Sequence, residues 1–576
     1  MADQLAGPAV GALRKERAGV GTLDVTTILQ RLAQLETRRV NYDTHWQEIA
    51  ERIWPAADEF QTKRAPGQKR MQRVYDATGG LALEKYSAIM ESLMVPRQAK
   101  WHRLRSTNEE LNDDPSVKEW FDEVTRLLFA MRNSPRAAFY SQIHEGFKSL
   151  GAFGGLPLFL DEVEPRENPD GSYSAGVRYA YVHVGQVYIE VNHQRKVDTV
   201  FRKWPMTAHA AYSKWGDRSP RCVHTALEQD PFKEFEFLHA IWPRENVDPE
   251  ALGPERLPWR SAFIGIQDKE MIDEGGFHEL PLIYGRWTVI PSEVYPWSVA
   301  MFALPAIKTA NAMQKTFLRA GHKVADPPIL AADESVLGRG SKQINLEPGR
   351  VNYARFHEGS GRPMVVPFQS GARLDLTAEM LEREREVIND SFFVRLFQIL
   401  VEDRTNMTAT EVLQRAQEKG ELMAPAVGRQ QSELLGPMIE RELNILGRQG
   451  LLPDLPPVLL EASGEYEIEY VSPATRFQRA GELLATQETL EMAAPFIAAD
   501  PNFILRFDEH EIVEESQEVR GARAKILRSR EEYEELRAER QKEEEAMQEI
   551  AAAREGAGAL KDAASAAETL QGVEGG

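Results

Sequence analysis

Apolar positions recur at helical spacing near the start of the chain. Ile28, Leu32 and Leu35 follow one another by four and three residues, which predicts an amphipathic helix over 25–54. Residues 81–94, closed by Pro96, and residues 116–131 and 139–150 read as three more helices. After position 157 the period changes. Leu158, Phe159 and Leu160, then residues 177–181 and 187–191, carry β-branched and aromatic side chains, with 196–201 as a candidate pairing partner. Residues 235–241 and 262–267 extend the pattern, so the first half reads as α+β. Gly151, Gly154 and Gly155 fit a tight turn ahead of a strand rather than a nucleotide cradle.

The middle of the chain changes in charge as well as in period. Residues 297–323 contain no acid, and Lys308, Lys315 and Arg319 fall within about 40° of one another on a helix, with Lys323 just beyond. Ala306, Ala310, Met313, Phe317 and Ala320 take the opposite face. A second helix is predicted over 376–401. Glu379, Glu382, Glu384, Glu386 and Asp390 crowd its first half, and Leu381, Ile388, Phe392, Leu396 and Ile399 form its apolar stripe. The cations fit as partners for Glu379, Glu382 or Glu386, or as a plain solvated face. Residues 324–372, between the two helices, hold six Gly and five Pro, with β-like runs at 343–346, 351–356 and 364–368. This is a helical hairpin with a small β-rich tip. Further on, Thr408 and Glu411 fit a capping box, and Pro425 and Pro437 predict a bent helix within 407–450. A strand over 466–471 and helices over 476–492 and 511–553 follow; 531–549 carries nine acids against three bases.

At 576 residues the length suits about four domains, and 42% hydrophobic residues suffice for real cores. The single cysteine, Cys222, excludes an intrachain disulfide framework and suits a reducing compartment. Its neighbours Arg221 and His224 would favour a thiolate, but a half-buried structural cysteine is the simpler reading. The net charge of −20 argues against tight non-specific DNA binding, yet an acidic wall would let a duplex pass without sticking. No signal peptide or membrane span is evident, and the chain reads as soluble. No phosphate loop, HExxH or CxxC motif occurs; no catalytic residue, cofactor or metal is expected. His45 and Glu48 read as a structural helix face, and the Asp508–Glu511 cluster as a helix start. Five basic residues over 63–73 read as a solvated loop, or else as a contact for nucleic acid or another chain.

Four blocks carry a family resemblance: RRVNYDTHWQEIAERIWPAADEF from Arg38, GRWTVIPSEVYPWSVAMFALPAIKTANAMQKTFLRAGHKVADPPIL from Gly285, MTATEVLQRAQEKGELMAPAVGRQQSELLGPMIERELNILGRQG from Met407, and YVSPATRFQRAGELLATQETLEMAAPF from Tyr470. In this order the chain, from about Leu29 to Glu545, resembles the head-to-tail connector (portal) proteins of short-tailed bacteriophages. The resemblance implies an α+β, mostly helical portal fold with wing, stem, clip and crown, assembling as a ring around a central channel. It divides the chain into a flexible arm (1–22), wing (23–295), first stem helix (296–323), clip (324–372), second stem helix (373–401), tunnel loop with kinked wing helix (402–470), crown (471–553) and disordered tail (554–576). Lys308, Lys315, Arg319 and Lys323 become DNA-channel candidates. Glu402, Asp403, Arg404, Thr405, Asn406 and Met407 become the tunnel loop. Arg339, Lys342, Arg350, Arg355 and Arg362 become clip contacts for partners. Implied partners are further copies of the chain in a dodecamer, the terminase large subunit, scaffolding protein, major capsid protein, a head-to-tail adaptor and double-stranded DNA. The implied location is one capsid vertex of the virion, after assembly in the host cytoplasm. A capsid scaffold or internal virion protein that forms no ring is the competing expectation; a nucleic-acid-processing enzyme is a further one.

Overall fold

Asp24 starts the first helix: its carboxylate accepts from the Thr26 N–H at 2.9 Å, satisfying one of the amides a helix start leaves unpaired. The computed structural model describes residues 24–325 apart from 58, 62–66, 109–110, 113, 169–172, 249 and 252. It also describes 329–331, 365–367, 374–395, 423–473 apart from 462–465, residue 475, and scattered positions between 485 and 547. The chain divides into two compact units, one of residues 1–412 and 418–475, the other of residues 413–417 and 476–576. In the second unit, described positions 489–496 and 536–542 are helical, as the sequence pattern leads one to expect.

In the first unit the order is α1 (Val25–Ile53), α2 (Thr78–Met94), β1 (His102–Ser106), α3 (Pro115–Asn133) and α4 (Phe139–Phe153). Strands β2 (Gly155–Glu162), β3 (Arg166–Glu167), β4 (Tyr173–Ser174), β5 (Val177–Tyr181), β6 (Val187–Val191) and β7 (Val197–Thr207) follow. Then come α5 (Ala208–Trp215), α6 (Arg221–Gln229), β8 (Glu234–Pro243), β9 (Trp259–Gly265), β10 (Glu270–Phe277) and β11 (Leu282–Arg286). The last elements are α7 (Val299–Ala325), β12 (Ile329–Ala331), β13 (Val365–Pro367), α8 (Leu374–Ser391), α9 (Gly436–Arg448), α10 (Pro457–Glu461) and β14 (Tyr466–Tyr470).

Strands β10-β9-β8-β7-β6 form one antiparallel sheet, and its period-two alternation builds two cores. Leu238 and Ala240 of β8 face α1 and meet Ile28, Leu32 and Leu35. Phe235 and Phe237, on the other face, meet Trp215 of α5 and Val223 of α6. Each large apolar side chain so buried contributes roughly 1.5–3 kcal/mol. A second sheet, β11-β2-β5, is covered by α4. Gly154 ends α4 at φ 81°, a conformation that suits a residue without Cβ, and a Cβ on Gly155 would lie 2.2 Å from the Tyr284 hydroxyl. Gly154 and Gly155 thus form the expected turn into a strand, whereas Gly151 lies within α4 against Tyr86.

The four early helices match their sequence pattern, and β6 pairs with β7 as expected. The helices α5 and α6 and the strands β10 and β11 were not legible, because the two helices span only about two turns and the strands break their alternation with Gly275, Gly276 and Gly285. The strand expected over 466–471 is β14. Its partner, β1, lies more than 350 positions earlier and pairs Ser106 with Tyr466.

Candidate functional site

The helices α7 and α8 pack against each other as the expected hairpin, and both lean on the helical body. The first half of α7 is buried through Val299, Met301, Ala303, Leu304, Ile307 and Ala310. Of the apolar face read from sequence, Ala310 is fully buried, whereas Ala306, Met313, Phe317 and Ala320 are half-buried. In α8 the stripe holds as far as the structure describes it: Leu381, Ile388 and Phe392 are buried. The second helix, expected over 376–401, runs Leu374–Ser391. Phe393 follows at φ 60° and interrupts it, with its ring 6.1 Å from that of Trp287. Leu396 and Ile399 lie outside the described residues.

The segment before α2 clamps the hairpin at its root. The Asn311 carboxamide on α7 accepts from the Tyr75 and Asp76 N–H groups at 2.6 and 3.2 Å, and donates to the Arg73 carbonyl at 3.1 Å. From α8, the Arg385 guanidinium binds Asp76 with Nη2 at 2.8 Å and Nε at 3.0 Å. Asp76 also accepts from Thr78 N–H at 2.9 Å and so starts α2. Burial alone would raise the Asp76 carboxyl, but the Thr78 hydrogen bonds and the Arg385 charge hold it below the usual range. Three separate segments meet here, and sequence reasoning missed the contacts that join them. The one available signal was the Asp-x-Thr cap at 76–78.

The four cations of the α7 stripe have different surroundings. The Lys308 ammonium pairs with Glu48 of α1 at 2.7 Å and holds that carboxyl below its ordinary range. Lys315 lies 5.2 Å from the centre of the Tyr75 ring, within cation–π reach. Arg319 and Lys323 are exposed and meet no partner among the described residues. None of the four pairs with Glu379, Glu382 or Glu386 in the same chain. Those acids bind Arg383, Arg385 and Arg395 at 3.7, 3.4 and 3.8 Å. The tunnel-loop residues 402–407 and the clip residues Arg339, Lys342, Arg350, Arg355 and Arg362 lie outside the described residues, as does the Thr408–Glu411 capping box.

The expected bent helix takes a definite form. Residues 423–430 are helical, Gln431–Leu435 forms a π turn, and α9 then restarts with Pro437 in its first turn. Proline has no N–H for the Glu433 carbonyl and its ring crowds that oxygen; widening the preceding turn by one residue removes the conflict. Gly436 N–H donates to Gln431 O across the wide turn, and the Tyr470 hydroxyl donates to the same oxygen at 3.1 Å. Buried Arg286 grips Glu433 at 2.8 and 2.9 Å, and buried Gln430 donates to the Arg286 carbonyl at 2.7 Å. In α9, Glu442 forms a fully buried pair with Arg132 of α3 and accepts from the Tyr179 hydroxyl. Arg132 also donates to His102 Nε2 at 2.6 Å.

Of the remaining sequence candidates, the Asp508–Glu511 cluster lies outside the described residues. Burial and the Asp268 carboxylate push the Cys222 thiol up to about 12, the reverse of what a nucleophile needs. His45 sets its ring edge-on to Trp297 at 6.1 Å. In the basic loop, Arg70 binds Glu59 and the Ala56 carbonyl, a fold contact. Among the described residues, no helix is long and apolar enough to cross a membrane.

The described residues thus form an α/β body that roots a two-helix hairpin. The sequence pattern of the bacteriophage head to tail connecting protein family matches residues 25–527, and the chain belongs to that family. It is 26% identical over 545 residues to the portal protein of Salmonella phage epsilon15, covering 93% of this chain and 95% of that protein. It is 28% identical over 464 residues to a protein of Bordetella phage BPP-1 named as a probable portal protein, covering 79% and 80% of the two.

Proposed function

We propose that this connector is a portal subunit. Copies close into a ring of twelve at one capsid vertex, with the α7–α8 hairpins set around an axial channel for double-stranded DNA during packaging and ejection. Ring closure requires one side of each subunit to fit the opposite side of the next. Arg319 and Lys323, joined by Lys308 and Lys315 when these leave Glu48 and Tyr75, make sequence-blind phosphate contacts along the channel. Residues 402–407 form the tunnel loop that retains packaged DNA; a deletion that still retained DNA would rule this out. Arg339, Lys342, Arg350, Arg355 and Arg362 meet the terminase large subunit and later the head-to-tail adaptor. Charge reversal that left both partners bound would exclude that role. Scaffolding protein and major capsid protein contact the ring as the procapsid nucleates in the host cytoplasm.

The observation that carries the reading is the hairpin rooted at Asn311 and Arg385, with Arg319 and Lys323 exposed on α7 and without an ion-pair partner among the described residues. Electron microscopy of the purified protein in negative stain is the test. Annular particles with a central hole are expected. A sample that stays monomeric under every assembly condition favours the scaffold alternative instead.

A further inference from the structure

Away from the hairpin, the α3–α4 turn, the β3–β4 ribbon and the start of β5 enclose a cavity of about 810 Å³. Three arginines from three segments line it: Arg136 from the turn, Arg166 from β3 and Arg178 from β5. All three are exposed, and none has an ion-pair partner among the described residues. Asp161 stands opposite Arg178 in the β2–β5 register without forming an ion pair with it. Among the described residues, Glu167 is the one carboxylate on the lining. In a chain with 89 acidic and 69 basic residues, three guanidinium groups without an ion pair among the described residues make this concavity a local cationic excess, although Arg178 still favours the ionised Asp161 electrostatically.

The wall of this cavity is held in place. The Gln449 side chain, just past α9, accepts from the Gly176 N–H at 3.0 Å and donates to the Val163 and Gly176 carbonyls at 3.2 and 3.3 Å. It therefore ties the strand leaving β2 to the strand entering β5. Val163 and Val177 add apolar wall, and no aromatic side chain lines the space.

We propose that this cavity binds an acidic peptide segment of a partner protein, with Arg136, Arg166 and Arg178 taking its carboxylates. The guanidinium fork matches a carboxylate in a two-point, planar geometry that a lysine cannot offer. The volume is in the range of roughly 300–1,000 Å³ that encloses small ligands, and so holds a few side chains rather than a duplex. Single-stranded nucleic acid is disfavoured, because such sites stack bases on aromatic platforms and this lining has none. The site is independent of the channel reading and of the α7 stripe.

The test is fluorescence anisotropy of a labelled poly-glutamate peptide titrated with the purified full-length chain. Binding that weakens with salt is expected, together with a loss of at least about tenfold in affinity in the R136E/R166E/R178E variant. The Arg319→Gln, Lys323→Gln variant should bind the peptide as the unchanged protein does. If charge reversal disturbs folding, the milder R136Q/R166Q/R178Q variant is read in the same way. Undiminished peptide binding by either triple variant, or no binding by the unchanged protein, overturns the proposal. So does a labelled oligothymidylate that binds as tightly and is lost in the same variants, since the site would then recognise phosphate.

Discussion

Two histidines, His102 and His239, are buried and a third, His183, is half-buried, and each is held in neutral form for a visible reason. His102 accepts from Arg132, so burial and a neighbouring cation both keep its pKa well below the ordinary value of 6.5. His183 is lowered to about 4 by burial; its Nδ1 accepts from the Gly185 N–H, leaving Nε2 to donate to the Ala57 carbonyl. His239 stacks on Phe263 at 4.0 Å and is likewise held well below 6.5 by burial and by Lys214 and Arg202. A depressed pKa means that the unfolded chain takes up protons before the folded one does. Stability is therefore complete above pH 6.5 and falls as the pH drops towards the folded values. Three such groups give a slope approaching about 4 kcal/mol per pH unit. Thermal melts between neutral pH and about pH 5 should show the decline, and replacing all three histidines should flatten it. A flat profile in the unchanged protein would contradict their neutral burial. Nothing in the sequence marked these histidines, because burial is set by distant segments.

At the scale of elements, the hairpin depends on its root. The helices themselves were legible, since Leu381, Ile388 and Phe392 recur at helical spacing and all three are buried. Their attachment through Asp76, Asn311 and Arg385 was not, because hydrogen bonds between residues more than 200 positions apart leave no local pattern. Asp76→Asn or Arg385→Gln should weaken the root by about 1–3 kcal/mol at neutral pH, the usual worth of charge-assisted hydrogen bonds. The lowered carboxyl of Asp76 means that its contribution is present above the ordinary value of 3.8 and lost as the pH falls through the lower folded value. Hydrogen exchange should quicken in the α8 amides of either variant while the five-stranded sheet stays protected. Unchanged exchange in α8 would show that packing alone holds the hairpin. The bend before α9 was legible in kind from Pro437, but its form as a π turn, stitched by Tyr470 and Arg286, belongs to tertiary contacts.

For the whole molecule, the cations of α7 connect the chain to its proposed channel. Lys308 and Lys315 serve the root as well, so substitutions there mix folding with function. Arg319 and Lys323 are the cleaner probe, and exposed substitutions of this kind cost within roughly 0.5 kcal/mol of stability. Arg319→Gln combined with Lys323→Gln should leave the ring intact and alter packaging rate and its salt dependence, by loss of phosphate contacts in every subunit. Packaging with unchanged rate, DNA length and salt sensitivity would remove these two from the channel.

The amphipathic stripes and the reversal of charge between α7 and α8 were written along the chain, because periodicity and turn chemistry act over a few residues, and the connector family was legible through the resemblance of four sequence blocks in order. Only the tertiary structure decided which cations pair with distant acids, which histidines lose their charge and which three arginines share a cavity. Those outcomes depend on desolvation and on contacts between segments far apart in sequence, and neither leaves a mark on neighbouring residues.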